Sequence, residues 1–164
     1  MRRALLALAA LGCATAPARP APAPEGTLAL VLPDLVGRAV DVGAEQGKVR
    51  VVDFWATWCA PCREELPALA ALERELGPRG LEVYAVSYDE ERSAIAPFLA
   101  SAGPVPQVLL DPGGERSAGP CGVRRLPTAL VVDRHGRIRF AHEGYDGSTA
   151  AAQRREVESL LAEP

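Results

Sequence analysis

Apolar positions fall along this chain in two rhythms. Val49 to Trp55, Leu81 to Ser87, Gln107 to Leu110 and Thr128 to Val132 are apolar at most positions and short, which predicts buried strands. Elsewhere apolar residues return every third or fourth position, which predicts helices with one buried face. Leu66, Leu69, Ala70, Leu72 and Leu76 form one such stripe, stopped by Gly77-Pro78. Ile95, Phe98 and Leu99 mark a second within Asp89 to Ala102, and Ala150 to Leu161 reads as a closing helix. Near the start, Leu28 to Leu32 and Ala39 to Val42 flank the turn Pro33-Asp34-Leu35-Val36-Gly37-Arg38, the pattern of a hairpin. Gly43 to Lys48 is a polar loop, and Asp111 to Gly122 is loop with room for one short helix. The turn Asp133-Arg134-His135-Gly136 leads into a last strand, Arg137 to Ala141. Strands alternating with helices imply a parallel core, and the late hairpin makes the sheet mixed. The fold class is α/β, a mixed central sheet flanked by helices.

Length and charge narrow this picture little. A chain of 164 residues holds one domain with extensions, and its formal net charge of −3 argues against a general nucleic-acid binder. The first residues change the picture more. Met1-Arg2-Arg3 is followed by the apolar run Ala4 to Leu11, which is too short for a membrane span of about 20 residues and fits the core of a signal peptide. Leu8-Ala9-Ala10-Leu11-Gly12-Cys13 resembles a bacterial lipoprotein signal, in which the cysteine is acylated. Ala10 and Leu11 depart from the usual pattern there, and cleavage after Ala14 is the alternative. Ala14 to Pro24 is an Ala/Pro run that is extended and builds no core, so it reads as a tether. The chain divides into a signal segment with a lipidation site (1–13), a tether (14–26) and a folded domain (27–164).

Of the cysteines Cys13, Cys59, Cys62 and Cys121, only Cys59 and Cys62 are spaced as a motif. There is no second such pair, and His135 and His142 are distant, so a zinc site lacks its other half. Arg63 rather than His follows Cys62, so no c-type haem is attached here. The pair sits where an apolar strand gives way to a helix. Cys59, before the helix, is expected to be the exposed attacking thiol, its thiolate stabilised by the helix dipole. Cys62, one turn in, is expected to be buried and to resolve a mixed disulfide. A structural disulfide, a zinc half-site or two buried thiols are the other readings of the same spacing. Pro61 fits the first helical turn, where its missing N–H costs little. Trp58 is expected to flank the sulfurs, with Trp55, Phe54 and Phe98 in the core. Asp53, among apolar strand neighbours, reads as a buried proton acceptor. Glu65 shares a helix face with Cys62 and is either a buried general base or a solvated glutamate. Cys121 reads as a buried free thiol, with a third redox cysteine as the other possibility.

The block Phe54-Trp55-Ala56-Thr57-Trp58-Cys59-Ala60-Pro61-Cys62-Arg63-Glu64-Glu65-Leu66-Pro67 resembles the TlpA/ResA-like thiol-disulfide oxidoreductases of the thioredoxin superfamily. Leu32-Pro33-Asp34-Leu35-Val36-Gly37 and Gly122-Val123-Arg124-Arg125-Leu126-Pro127-Thr128 support the likeness. The resemblance implies a thioredoxin-like fold with an N-terminal β-hairpin and a central αβ insert, about Asp89 to Leu110. It implies a cis peptide bond before Pro127, lying against the dithiol. Asp53 matches a buried aspartate of thioredoxin at a place where TlpA/ResA-like proteins more often carry asparagine, and Glu65 matches a functional glutamate. The activity implied is an extracytoplasmic, periplasmic exchange of disulfides, without a cofactor and without a bound metal. A membrane electron donor of the reductase type would supply electrons. Protein disulfide clients such as apocytochrome c or other metalloprotein precursors would receive them. The protein would act as a monomer held to the membrane by a lipid anchor. No histidine lies between the cysteines, which favours a reductant over an oxidant. A peroxiredoxin-like thiol peroxidase and a non-enzymatic copper-handling or chaperone lipoprotein are the rival readings.

Overall fold

Strand β3 (Val49–Trp55) is buried at every position, because it lies in the middle of a sheet covered on both faces. The computed structural model of the chain describes residues 26–43 and 47–164; Cys13, the signal segment and all of the tether but Gly26 lie outside them. Strand β4 (Leu81–Ser87) runs parallel to β3 on one side, followed by β5 (Gln107–Leu110), also parallel. On the other side β6 (Thr128–Val132) and β7 (Ile138–Glu143) are antiparallel, giving the order β5-β4-β3-β6-β7. This is the mixed sheet expected. Two short strands before it, β1 (Val31–Pro33) and β2 (Ala39–Asp41), form a separate antiparallel hairpin.

Alternation along β3 sends successive side chains to opposite faces. Val49 and Val51 meet helix α1 (Cys62–Leu76) through Leu69, Leu72 and Leu76, and helix α3 (Gly147–Ala162) through Val157, Leu160 and Leu161. Trp55, further along that face, joins Leu66 of α1 and Phe98 of α2 (Ile95–Ala102). Val52 and Phe54 point the other way, into a cluster with Leu28, Leu30, Leu32, Val86, Leu109 and Leu130. Each such side chain contributes about 1.5–3 kcal/mol by leaving water. Asp53 therefore shares the helical face with Val51 and Trp55, a carboxylate set into an apolar row.

Four predicted strands match in their bounds, and the differences elsewhere have local causes. Helix α2 begins at Ile95, after a 3-10 turn at Arg92–Ala94, and not at Asp89. Asp89 does not cap it, because its carboxylate is used elsewhere. Helix α3 begins earlier than Ala150, since Asp146 accepts hydrogen bonds from the Ser148 and Thr149 amides. The Ser148 hydroxyl, with those amides, holds the Asp146 carboxyl down at about 2. Strand β1 is shorter than Leu28 to Leu32, because Leu28 donates to the Gly136 carbonyl at 2.8 Å and is tied to the far turn. The last strand runs from Ile138 to Glu143, past Ala141, because His142 and Glu143 still pair with Ala129 and Thr128 of β6.

Candidate active site

The site is assembled where β3 ends. Ala56 follows the strand, and the Cys59 amide donates to the Ala56 carbonyl at 3.0 Å, turning the chain toward α1. Asp89, just after β4, clamps this turn. Its Oδ1 accepts from the Thr57 hydroxyl at 2.6 Å, its Oδ2 accepts from the Thr57 amide at 3.0 Å, and Ser87 Oγ donates to Oδ2 at 2.9 Å. Arg63 adds a looser tie, donating from Nη2 to the Thr57 carbonyl at 3.3 Å while its guanidinium lies 4.9 Å from the Phe98 ring centroid. The loop carrying the cysteines is therefore fixed before any chemistry begins.

Cys59 and Cys62 are joined as a disulfide with Cα atoms 5.4 Å apart. Pro61 is the N-cap and Cys62 the first residue of α1, so Cys62 opens the helix and is not one turn in, as the sequence suggested. Cys59 is also less exposed than expected, at 4% against 0% for Cys62. Both cysteines sit in the apolar cluster of Trp55, Leu66, Ile95 and Phe98. Trp58 stands 72% exposed beside them. The Leu126-Pro127 bond is cis, and Leu126 packs against the cluster that holds both cysteines. The Pro127 carbonyl accepts from the Gly144 amide at 2.8 Å, anchoring this turn to the loop before α3. A hollow of about 380 Å³ opens between Trp58, Tyr88, Val123, Arg124 and Leu126.

Two buried carboxylates lie on the elements that meet at this site, Asp53 on β3 and Glu65 on α1. Asp53 is fully buried, and neither of its oxygens has a hydrogen-bond partner. Burial, reinforced by the charge of nearby Glu65, holds its carboxyl well above the usual range. Glu65 is 1% exposed, which decides between the buried and solvated readings in favour of burial. Its Oε1 accepts from Gln153 Nε2 at 2.8 Å, while Oε2 has no partner. Burial pushes the Glu65 carboxyl up to about 7, against the lowering effect of Gln153. Gln153, on α3, was not singled out from the sequence. The signal was present, since Gln153 falls on the same helical stripe as Val157, Leu160 and Leu161. Asp89 was read only as the start of a helix.

Cys121 is a buried free thiol in the opposite cluster, pushed up to about 11 by burial and by Asp111. Among the described residues, no group of three or more His, Cys, Asp or Glu is placed to hold a metal ion.

The family model described as Redoxin matches residues 18–161. The thiol-disulfide oxidoreductase ResA of Halalkalibacterium halodurans is 32% identical over 120 residues, covering 73% of this chain and 68% of the relative. ResA of Bacillus anthracis is also 32% identical, over 66% of this chain, and the match spans only 62% of that relative's length. The thiol:disulfide interchange protein HelX of Rhodobacter capsulatus is 37% identical over 60% of this chain and 53% of its own length. Among solved structures, a thiol:disulfide interchange protein of the thioredoxin family from Chlorobium tepidum superposes with a TM-score of 0.68 at 25% identity, over 90% of this chain and all of that one.

Proposed function

The chain belongs to the Redoxin family, as a TlpA/ResA-like member of the thioredoxin superfamily, and on that premise we propose that it is a thiol-disulfide oxidoreductase that reduces protein disulfides outside the cytoplasm. The observation that carries this reading is the Cys59–Cys62 bond at the β3–α1 junction, with a buried carboxylate on each of those two elements.

In the reduced protein the Cys59 thiolate, stabilised by the start of α1, attacks one sulfur of a client disulfide. A mixed disulfide forms, and the other client sulfur leaves as a thiolate and takes a proton from water. Cys62 then gives its proton to the Asp53/Glu65 pair, and its thiolate attacks the Cys59 sulfur of the mixed disulfide. The second client sulfur leaves as a thiolate. Two electrons have passed to the client, and the Cys59–Cys62 disulfide of this structure is the product. Trp58, Pro61 and Pro127 act by shape: Pro61 starts the helix, while Trp58 and the cis turn border the hollow where a client strand lies. A membrane reductase restores the dithiol. Metalloprotein precursors such as apocytochrome c are the clients this reading favours. A lipid on Cys13 and the Ala/Pro tether would hold a monomeric domain near both. A thiol peroxidase would set an arginine beside a lone sulfur, whereas Arg63 is turned to Phe98 and the Thr57 carbonyl.

Insulin reduction by the wild type and by Cys59→Ser tests the activity. The wild type turns over and the variant falls at least about 100-fold, to background. Equal inactivity of both, with the fold intact, sinks the proposal. Equilibration against dithiothreitol tests the direction, with a potential near about −270 mV expected and one near about −120 mV marking an oxidant. Mass spectrometry of the mature N-terminus tests lipidation of Cys13.

A further inference from the structure

The chemistry proposed above needs a proton acceptor under Cys62, and the structure offers two carboxylates where one would serve. Asp53 Oδ1, Asp53 Oδ2 and Glu65 Oε2 are all buried without partners. Among the described residues, the one side-chain hydrogen bond to the pair runs from Gln153 Nε2 to Glu65 Oε1. Gln153 is itself 2% exposed and reaches the pair from α3.

The pair has little else around it. Asp53 is in register with Ala85 of β4 and Ala129 of β6, which bring no charge. From α1 the titratable neighbours are Cys62 and Glu64, and before α3 there is Tyr145, whose hydroxyl is raised by burial and then by Glu65 and Glu64. No cation is among the causes acting on either acid. A hollow of about 260 Å³ between α1 and α3 is lined by Leu69, Leu72, Tyr145, Ala150, Gln153 and Arg154. Arg154 there is held by Glu75 at 2.9 Å and Glu158 at 3.1 Å. Gln153 thus both holds the buried pair and lines a hollow that shares no residue with the one beside Trp58.

We infer that Gln153 is a positioning residue for the proton: its amide donates to Glu65 and so makes Glu65, and not Asp53, the member of the pair that is empty and ready to receive the Cys62 proton. A hydrogen bond to the charged form favours that form, and only Glu65 receives one. Two acids this close do not both ionise readily, so the proton remaining on the pair stays on Asp53. When Cys62 gives up its proton, Glu65 takes it. The hollow beside Gln153 provides the way out to water, away from the face where the client sits. This assignment rests on the oxidoreductase reading for its consequence, and on the Gln153–Glu65 geometry for its substance.

The test titrates Glu65 directly, by carboxyl carbon NMR on the full oxidised chain, for wild type, Gln153→Met and Gln153→Glu. The pH profile of insulin reduction is measured alongside. Glu65 in the wild type is expected to titrate near 7. Gln153→Met should move that midpoint up by about one pH unit, tenfold in proton affinity, with the acidic limb of the rate profile following it. Gln153→Glu, which when ionised has no donor and sets a second negative charge against Glu65, should move it at least as far at pH values where it is charged. A midpoint unchanged in whichever variant folds overturns the inference and leaves Gln153 as packing. A midpoint that moves in a protein that reduces no insulin at all retains Gln153 as the group that sets Glu65, and fails the oxidoreductase reading instead.

Discussion

Asp53 and Asp89 are both buried aspartates within reach of the dithiol loop, and they are treated in opposite ways. Asp89 has its oxygens filled by Thr57 and Ser87, a backbone amide and two hydroxyls. Asp53 has nothing. A buried carboxylate with its lone pairs satisfied is a structural clamp, and its charge is an asset. One left unsatisfied costs free energy whenever it ionises, and it is retained for what protonation allows. The same side chain, on neighbouring parallel strands or just beyond them, thus holds the loop in one case and, on the reading proposed above, keeps a proton beside Glu65 in the other. A site of this kind needs both, because a resolving sulfur must be placed before it is deprotonated.

Removing the clamp should have the largest effect. Asp89→Ala leaves the Thr57 amide, the Thr57 hydroxyl and the Ser87 hydroxyl without their acceptor, and is expected to cost about 4 kcal/mol, read by urea unfolding at pH 7. A loss under about 1 kcal/mol would remove the distinction drawn between the two aspartates.

The buried acids should respond with the opposite sign. The Glu65 carboxyl lies near 7 in the folded chain against 4.5 when unfolded. The folded state therefore binds more protons between those values, and stability falls as pH rises through that window. The penalty is absent below about 4.5 and complete above 7. Glu65→Gln removes it, and should stabilise the protein by about 3 kcal/mol at pH 8 and by little at pH 4. Asp53→Asn should act in the same direction. Thermal melts across pH check both, and a Glu65→Gln protein less stable than wild type at pH 8 would contradict the placement of the acids. Smallest of all, Trp58→Ala should change stability by under about 0.5 kcal/mol, since the ring is mostly in water, while raising KM for a protein client.

These contrasts were unevenly visible in the sequence. Strands β3 to β6 were legible to the residue, because continuous burial forces continuous apolar runs with clear ends. The dithiol was legible from its spacing, and Asp53 from its apolar neighbours. Glu65 was not decidable, because its burial depends on a helix that returns from far along the chain, its partner Gln153 lying 88 positions away. Gln153 itself hid as one polar residue in a polar-looking helix, where only its place in the apolar stripe marked it. Asp89 carried the usual residue type for a helix start, and nothing local said that its carboxylate would instead reach 32 positions back to Thr57. Contacts between distant segments decide these roles, and a linear pattern records only one side of each.

The placement of the two tryptophans has a consequence for how this molecule can be watched. The chain contains only Trp55 and Trp58, one sealed in the core and one mostly in solvent, on either side of the turn into Cys59. A disulfide beside an excited indole accepts an electron from it and quenches the emission, and the two dipolar surroundings separate the two colours. Tryptophan emission is therefore expected to rise when the disulfide is reduced, a readout of oxidation state that needs no label.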